Sequence, residues 1–173
     1  MTSINMIKIK IDVSNTILKK YWIDNNLEKK ILDTGDNEYL LNSTDSGLDL
    51  VFPNDINIPK NSINNVIGLG ISCEIISKIP IGYYLYPRGS FSKTGLIFAN
   101  HTGIIDYDYR GELKVSLHNF TNNDIKIEAG QRLFQICQGD LVPFKSYIIV
   151  NELSQTKRGN GAFGSTGKNM DKK

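Results

Sequence analysis

The chain has 173 residues, of which 40% are hydrophobic and 22% charged, the balance of one globular domain with enough apolar side chains to bury a core. Its formal net charge of +2 is too small to argue for a nucleic-acid or membrane partner, although a polyphosphate ligand would need only local positive charge. No apolar run approaches the roughly 18 residues of a membrane span, and the first ten residues hold no secretory signal, so an intracellular protein, cytoplasmic or nuclear, is expected.

Residues 6–13 alternate Ile7, Ile9, Ile11 and Val13 with Lys8, Lys10 and Asp12, which predicts a strand with one buried face. Ser14 or Asn15 then caps a short helix, because Ile17, Leu18, Tyr21, Trp22 and in the limit Asn25 fall on one side of a 3.6-residue repeat. Residues 34–46 are polar, carry Gly35, Asp36 and Asn37, and read as a loop. From Gly47 onward short apolar segments are separated by turn residues, with strand-like runs over 66–76, 83–86, 113–117, 132–137 and 147–150. That spacing predicts an all-β jelly roll or barrel without internal repeats. Cys73 and Cys137 lie far apart in apolar runs and read as buried free thiols, a single disulfide being the alternative; no second ligand stands near either to suggest a metal.

From Lys157 the composition changes to a glycine-rich tail with one aromatic residue, expected to be mobile on its own. Gly159, Gly161 and Gly164 fit the spacing of a dinucleotide-binding loop, but no βαβ unit surrounds them, and Ala162 and Asn169 exclude a P-loop around Gly167 and Lys168. Backbone N–H groups, Arg158, Ser165 and Thr166 are suited to wrapping a polyphosphate, and Phe163 to stacking on a base.

Five segments between Ser46 and Lys168, in order, resemble the trimeric dUTPase family. They are Ser46-Gly47-Leu48-Asp49-Leu50, Pro87-Arg88-Gly89-Ser90-Phe91, the run from Gly103 through Asp106, Tyr107, Asp108, Tyr109 and Arg110 to Glu112, the run from Ala129 to Gln135, and Arg158 to Gly167. The third is the most specific. The resemblance implies a distorted jelly roll over 46–156, preceded by a strand–helix extension (1–45) and followed by a glycine-rich arm (157–173). It implies a homotrimer with active sites between subunits, each arm serving a site formed by neighbouring copies, and no nucleic-acid or membrane partner.

The implied reaction is hydrolysis of dUTP to dUMP and pyrophosphate. Asp106 resembles the carboxylate that activates water for attack on the α-phosphorus, whereas Asp108 serves at most to hold Arg110 or a loop. Tyr109 resembles the tyrosine that packs under the deoxyribose and rejects a 2′-hydroxyl. Asn100, the backbone of Gly103, Ile104 and Ile105, and the strand near Lys114 would read uracil, since cytosine would leave buried groups unpaired. Arg88, Gly89, Ser90 and Gln135 would hold the phosphates, and Arg158, Phe163, Gly164, Ser165 and Thr166 would complete the site from the arm. Mg2+ would ride on the phosphates and be met by Asp49 through water, Asp49 being equally suited to a turn or interface role. His101 and His118 read as structural.

Two positions depart from the family's pattern. Gly89 stands where the usual order Pro-Arg-Ser has its serine, with Ser90 one place later, and Ala162 replaces a usual glycine. These departures keep open a catalytically weak nucleotide-binding or regulatory protein. A relative of dCTP deaminase, which shares the fold, is a more remote alternative.

Overall fold

The structure is a computed structural model and describes residues 6–25, 28–32 and 34–161. The strands among them begin with β1 (Met6–Ile11), β2 (Lys29–Ile31), β3 (Asn37–Leu40), β4 (Gly47–Leu50), β5 (Ile56–Ile58), β6 (Ser62–Gly68) and β7 (Ile71–Ile75). They continue with β8 (Tyr83–Pro87), β9 (Leu96–Phe98), β10 (Gly103–Ile105), β11 (Lys114–Asn119), β12 (Ile125–Ile127), β13 (Phe134–Gln138) and β14 (Ser146–Ile149). Four sheets share them, in the orders β2-β3-β14-β1-β7, β10-β8-β13-β4, β6-β11-β9 and β12-β5. The fold is mostly β and jelly-roll-like, as expected, with its strands divided among separate sheets.

The alternation of the first strand is borne out at Ile7, Ile9 and Ile11, all buried, but Val13 is exposed rather than buried. The cause is local: Asp12 Oδ1 accepts the Ser14 N–H at 2.9 Å and the Ser14 hydroxyl at 2.6 Å, which turns the chain before residue 13 can continue the strand. Asn15 then caps the helix, its Oδ1 accepting from the N–H groups of Ile17 and Leu18 at 3.0 Å each. The helix α1 spans Thr16–Lys19 and passes into a π-helical turn over Lys20–Asp24. Leu18 and Trp22 are buried while Asn25 is exposed.

Two expectations fail. Residues 34–46 contain β3 rather than loop alone, because Tyr39 pairs in register with Tyr147 of β14 and stacks on its ring at 5.1 Å. The Tyr147 ring also meets Trp22 edge-on at 5.2 Å, and its hydroxyl donates to the Trp22 carbonyl at 2.6 Å, so the N-terminal segment is locked onto the C-terminal strand. The single run expected over 66–76 is broken in two. Gly70 turns the chain at φ +65°, a value that an L side chain rarely adopts, and β6 and β7 enter different sheets. The core is centred on Phe134, whose ring lies 5.1 Å from those of Phe91 and Phe98 and 6.3 Å from that of Phe52.

Candidate active site

The hairpin of β8 and β10 and the turn after it form one wall of a cavity of about 220 Å³. Asn100, Gly103, Ile104, Ile105, Asp106, Tyr109, Lys114 and Arg158 all line it, together with the apolar side chains Leu85, Phe98 and Leu113. Gly103 is required by contact: a Cβ there would lie 2.9 Å from that of Leu85, directly across the hairpin. A turn closed by the Tyr109 N–H on the Asp106 carbonyl (3.1 Å) puts Asp106 at the rim and Tyr109 inside. The Asp106 side chain is 49% exposed and pairs with the Arg158 guanidinium of its own chain.

Tyr109 is buried, and its hydroxyl donates to the Glu112 carbonyl at 2.7 Å. Burial pushes its phenol pKa up, and the Glu112 carboxylate adds to the rise, so it keeps its proton at neutral pH and offers a ring rather than a base. The Arg158 guanidinium carbon stands 5.8 Å from the centre of that ring.

A second depression, of about 570 Å³, gathers Asp49, Arg88, Gly89 and Gln135 with Tyr86. Asp49 on β4 accepts from Arg88 Nε at 2.7 Å and from Arg132 Nη1 at 3.2 Å. Burial raises the Asp49 carboxyl above its ordinary value, outweighing the opposite pull of the two arginines. Ser90 Oγ faces the Arg132 carbonyl at 3.4 Å and is not among the side chains lining this depression.

A protein-family model described as dUTPase matches residues 40–167. The chain belongs to the dUTPase family. It is 36% identical over 146 residues to the deoxyuridine 5'-triphosphate nucleotidohydrolase of Hydrogenobaculum sp. (strain Y04AAS1), covering 82% of this chain and 96% of that one. With the protein of the same name from Yarrowia lipolytica the identity is 38% over 132 residues, 74% of this chain and 80% of the relative. The crystal structure of dUTPase from Streptococcus mutans superposes with a TM-score of 0.52 at 23% identity, over 75% of this chain and 92% of that chain, a likeness of fold.

Within this dUTPase chain the anticipated site residues therefore fall into two groups, the hairpin set with Arg158 and the Asp49–Arg88–Gly89–Gln135 set. Phe163, Gly164, Ser165 and Thr166 lie outside the described residues, as does Ala162. The resemblance assigns the arm to a neighbouring copy, whereas Arg158 here meets Asp106 of its own chain. Asp108 does not hold the Arg110 side chain; Glu74 does, at 3.4 Å. His118 has a structural partner, its Nδ1 accepting the Asn64 N–H at 3.0 Å.

The apolar lining of Leu85 and Phe98 was not singled out from sequence, and Leu113 was read only as part of an alternating run, not as part of the site. Nor was Arg132 singled out as a partner of Asp49. Among the described residues no group of three His, Cys, Asp or Glu side chains could hold a metal ion, and no helix is long and apolar enough to cross a membrane.

Proposed function

We propose that this chain hydrolyses dUTP to dUMP and pyrophosphate, with Asp106 taking a proton from the water that attacks the α-phosphorus. The observation that carries the reading is the convergence of Asp106, Tyr109 and the β10 backbone on one cavity in a chain of the dUTPase family. A half-exposed carboxylate on a fixed turn can both admit a water and orient it. The new P–O bond forms as the bond to the bridging oxygen breaks, and pyrophosphate carries away the electron pair.

In this reading Asn100 and the main chain of Gly103, Ile104 and Ile105, near Lys114, pair with uracil. The Tyr109 ring lies under the deoxyribose, where a 2′-hydroxyl would have neither room nor partner. Arg88, Gly89 and Gln135 serve the phosphates of a site completed by a second copy, while Ser90 is turned to the Arg132 carbonyl. That Arg88 and Gln135 line a different cavity from Asp106 supports a homotrimer with shared sites. The reading divides the chain into an extension (1–45), whose β1, β2 and β3 share a sheet with β7 and β14 of the body (46–156), and an arm (157–173), with Arg158, Phe163, Gly164, Ser165 and Thr166 of the arm on base and phosphates.

A divalent ion caged by protein has no donor set among the described residues, which fits Mg2+ carried on the triphosphate and touched by Asp49 through water. When bound, it would neutralise phosphate charge. Two buried free thiols suit an intracellular compartment, cytoplasmic or nuclear.

Pyrophosphate release from dUTP, dCTP, dTTP and UTP, with and without Mg2+, tests the proposal. Strong preference for dUTP is expected, and ammonia release from dCTP would overturn it.

A further inference from the structure

The turn bearing Asp106 and Tyr109 is gripped from behind by Arg110, which does not line the substrate cavity. Its Nη1 donates to the carbonyls of Tyr107 at 2.7 Å and Tyr109 at 3.0 Å. Nε and Nη2 donate to Ser154 Oγ at 3.3 and 3.0 Å, and Nη2 lies 3.4 Å from Glu74 Oε1. A guanidinium has five N–H donors, and these five contacts can engage all of them, leaving none to reach a phosphate. The side chains of Arg110 and Glu74 are only 12% and 15% exposed. Glu74 also accepts the Ser154 N–H at 3.0 Å and its hydroxyl at 2.8 Å, so the carboxylate, the guanidinium and the root of the arm form one closed polar cluster.

We propose that Arg110, held by Glu74 and Ser154, is a positioning residue that fixes Asp106 and Tyr109 against the nucleotide; the proposal rests on the reading of Asp106 as the base. The mechanism is geometric. One planar fork ties two carbonyls of the turn to a strand, β7, that is itself paired along β1. The turn then cannot tilt without breaking charge-assisted bonds. The same cluster sets the arm root alongside the turn, where the Arg110 N–H donates to the Gly159 carbonyl at 2.9 Å. Lysine cannot replace this arginine, since an ammonium presents its three donors from a single atom.

The test is steady-state pyrophosphate release by full-length Arg110→Lys, Glu74→Gln and Ser154→Ala, with thermal melts to confirm folding. For Arg110→Lys the expectation is a fall in kcat of roughly tenfold to a hundredfold, the usual penalty for a displaced catalytic group, with KM changed by less than about threefold. The preference for dUTP over UTP should fall as well, because Tyr109 rides on the same turn; a merely stabilising residue would leave that ratio alone. Adding Glu74→Gln to Arg110→Lys should cost little more, as expected of members of one cluster. A rise in KM alone would make Arg110 a phosphate ligand, and parental kinetics in the variants would remove its role; either result overturns the proposal. If Arg110→Lys does not fold, Ser154→Ala, at an exposed position, and the isosteric Glu74→Gln carry the same comparison. A parent chain that leaves dUTP intact would sink the reaction itself, an outcome seen before any variant is measured.

Discussion

Gly89→Ser is expected to make the protein a faster enzyme. A Cβ built at Gly89 meets nothing within 4 Å, and the backbone there is not in the left-handed region, so a serine enters without strain. Removing a glycine at a compatible position also stabilises the fold by about 0.4–1 kcal/mol through the unfolded chain. No neighbouring side chain already supplies the missing hydroxyl, since Ser90 Oγ is turned to the Arg132 carbonyl at 3.4 Å. A hydroxyl donating to a charged phosphate contributes about 1.5–3 kcal/mol, from which ordering the side chain subtracts about 0.5 kcal/mol or more. A net of about 1–2 kcal/mol corresponds to a gain of roughly fivefold to thirtyfold in kcat/KM. Continuous pyrophosphate release with dUTP measures it, with Ser90→Ala as the counterpart expected to change little. If Gly89→Ser brings no gain while Ser90→Ala removes activity, the loop has shifted by one residue and Ser90 is the phosphate donor.

Asp106→Asn should lower kcat by about 10²–10⁴-fold, the range for losing a general base, while a non-hydrolysable dUTP analogue still binds in calorimetry; parental turnover would mean another base. Burial would by itself raise the Glu74 carboxyl, but hydrogen bonds from Ser154 and the charge of Arg110 outweigh it and hold it below its ordinary value. Its stabilisation is therefore complete above the unfolded glutamate pKa of about 4.3 and is lost as the pH falls through the folded value. The difference in melting temperature between parent and Glu74→Gln should accordingly shrink below about pH 4, and a difference independent of pH would contradict the assignment. Oligomers co-purified from differently tagged Asp106→Asn and Arg158→Ala chains should show no activity beyond that of the separate variants, because Arg158 meets Asp106 of its own chain; recovered turnover would assign the arm to a neighbour.

What could be read from sequence divides along physical lines. β1 was legible because one buried face imposes a period of two on Ile7, Ile9 and Ile11, and it stopped short of Val13 where Asp12 turned the chain. β3 was not, since Gly35, Asp36 and Asn37 signal a turn at its start and pairing with β14 through Tyr147, far along the chain, draws the next residues into a strand. The run from Gly103 to Glu112 was legible through its resemblance to the dUTPase family, and Gly103, Ile104, Ile105, Asp106 and Tyr109 of it line one cavity. The support of that turn was not: Glu74 and Ser154 are 80 residues apart, and nothing in either local sequence signals that they share a guanidinium. The extension shows the same limit. Its composition assigns it no chemistry, yet β1 lies between β14 and β7, the strand leading to the arm and the strand carrying Glu74.

The ion pairs of the two cavities also bear on how a triphosphate would be received. Asp49 holds Arg88 and Arg132, and Asp106 holds Arg158, so three guanidiniums wait on carboxylates instead of lying free in water. A guanidinium already oriented and partly desolvated loses less hydration and side-chain freedom on meeting a phosphate than one drawn from bulk solvent, a gain set against the ion pair it gives up. The two carboxylates differ in what an exchange would leave behind. Asp49, 18% exposed, keeps one arginine if it yields the other. In the proposed reaction Asp106, 49% exposed, would give up Arg158 to the phosphates and be left bare, with room for the water it is proposed to activate. Binding and activation would then be a single exchange of partners, in which the arginine that occupies the base before the substrate arrives becomes the arginine that holds it.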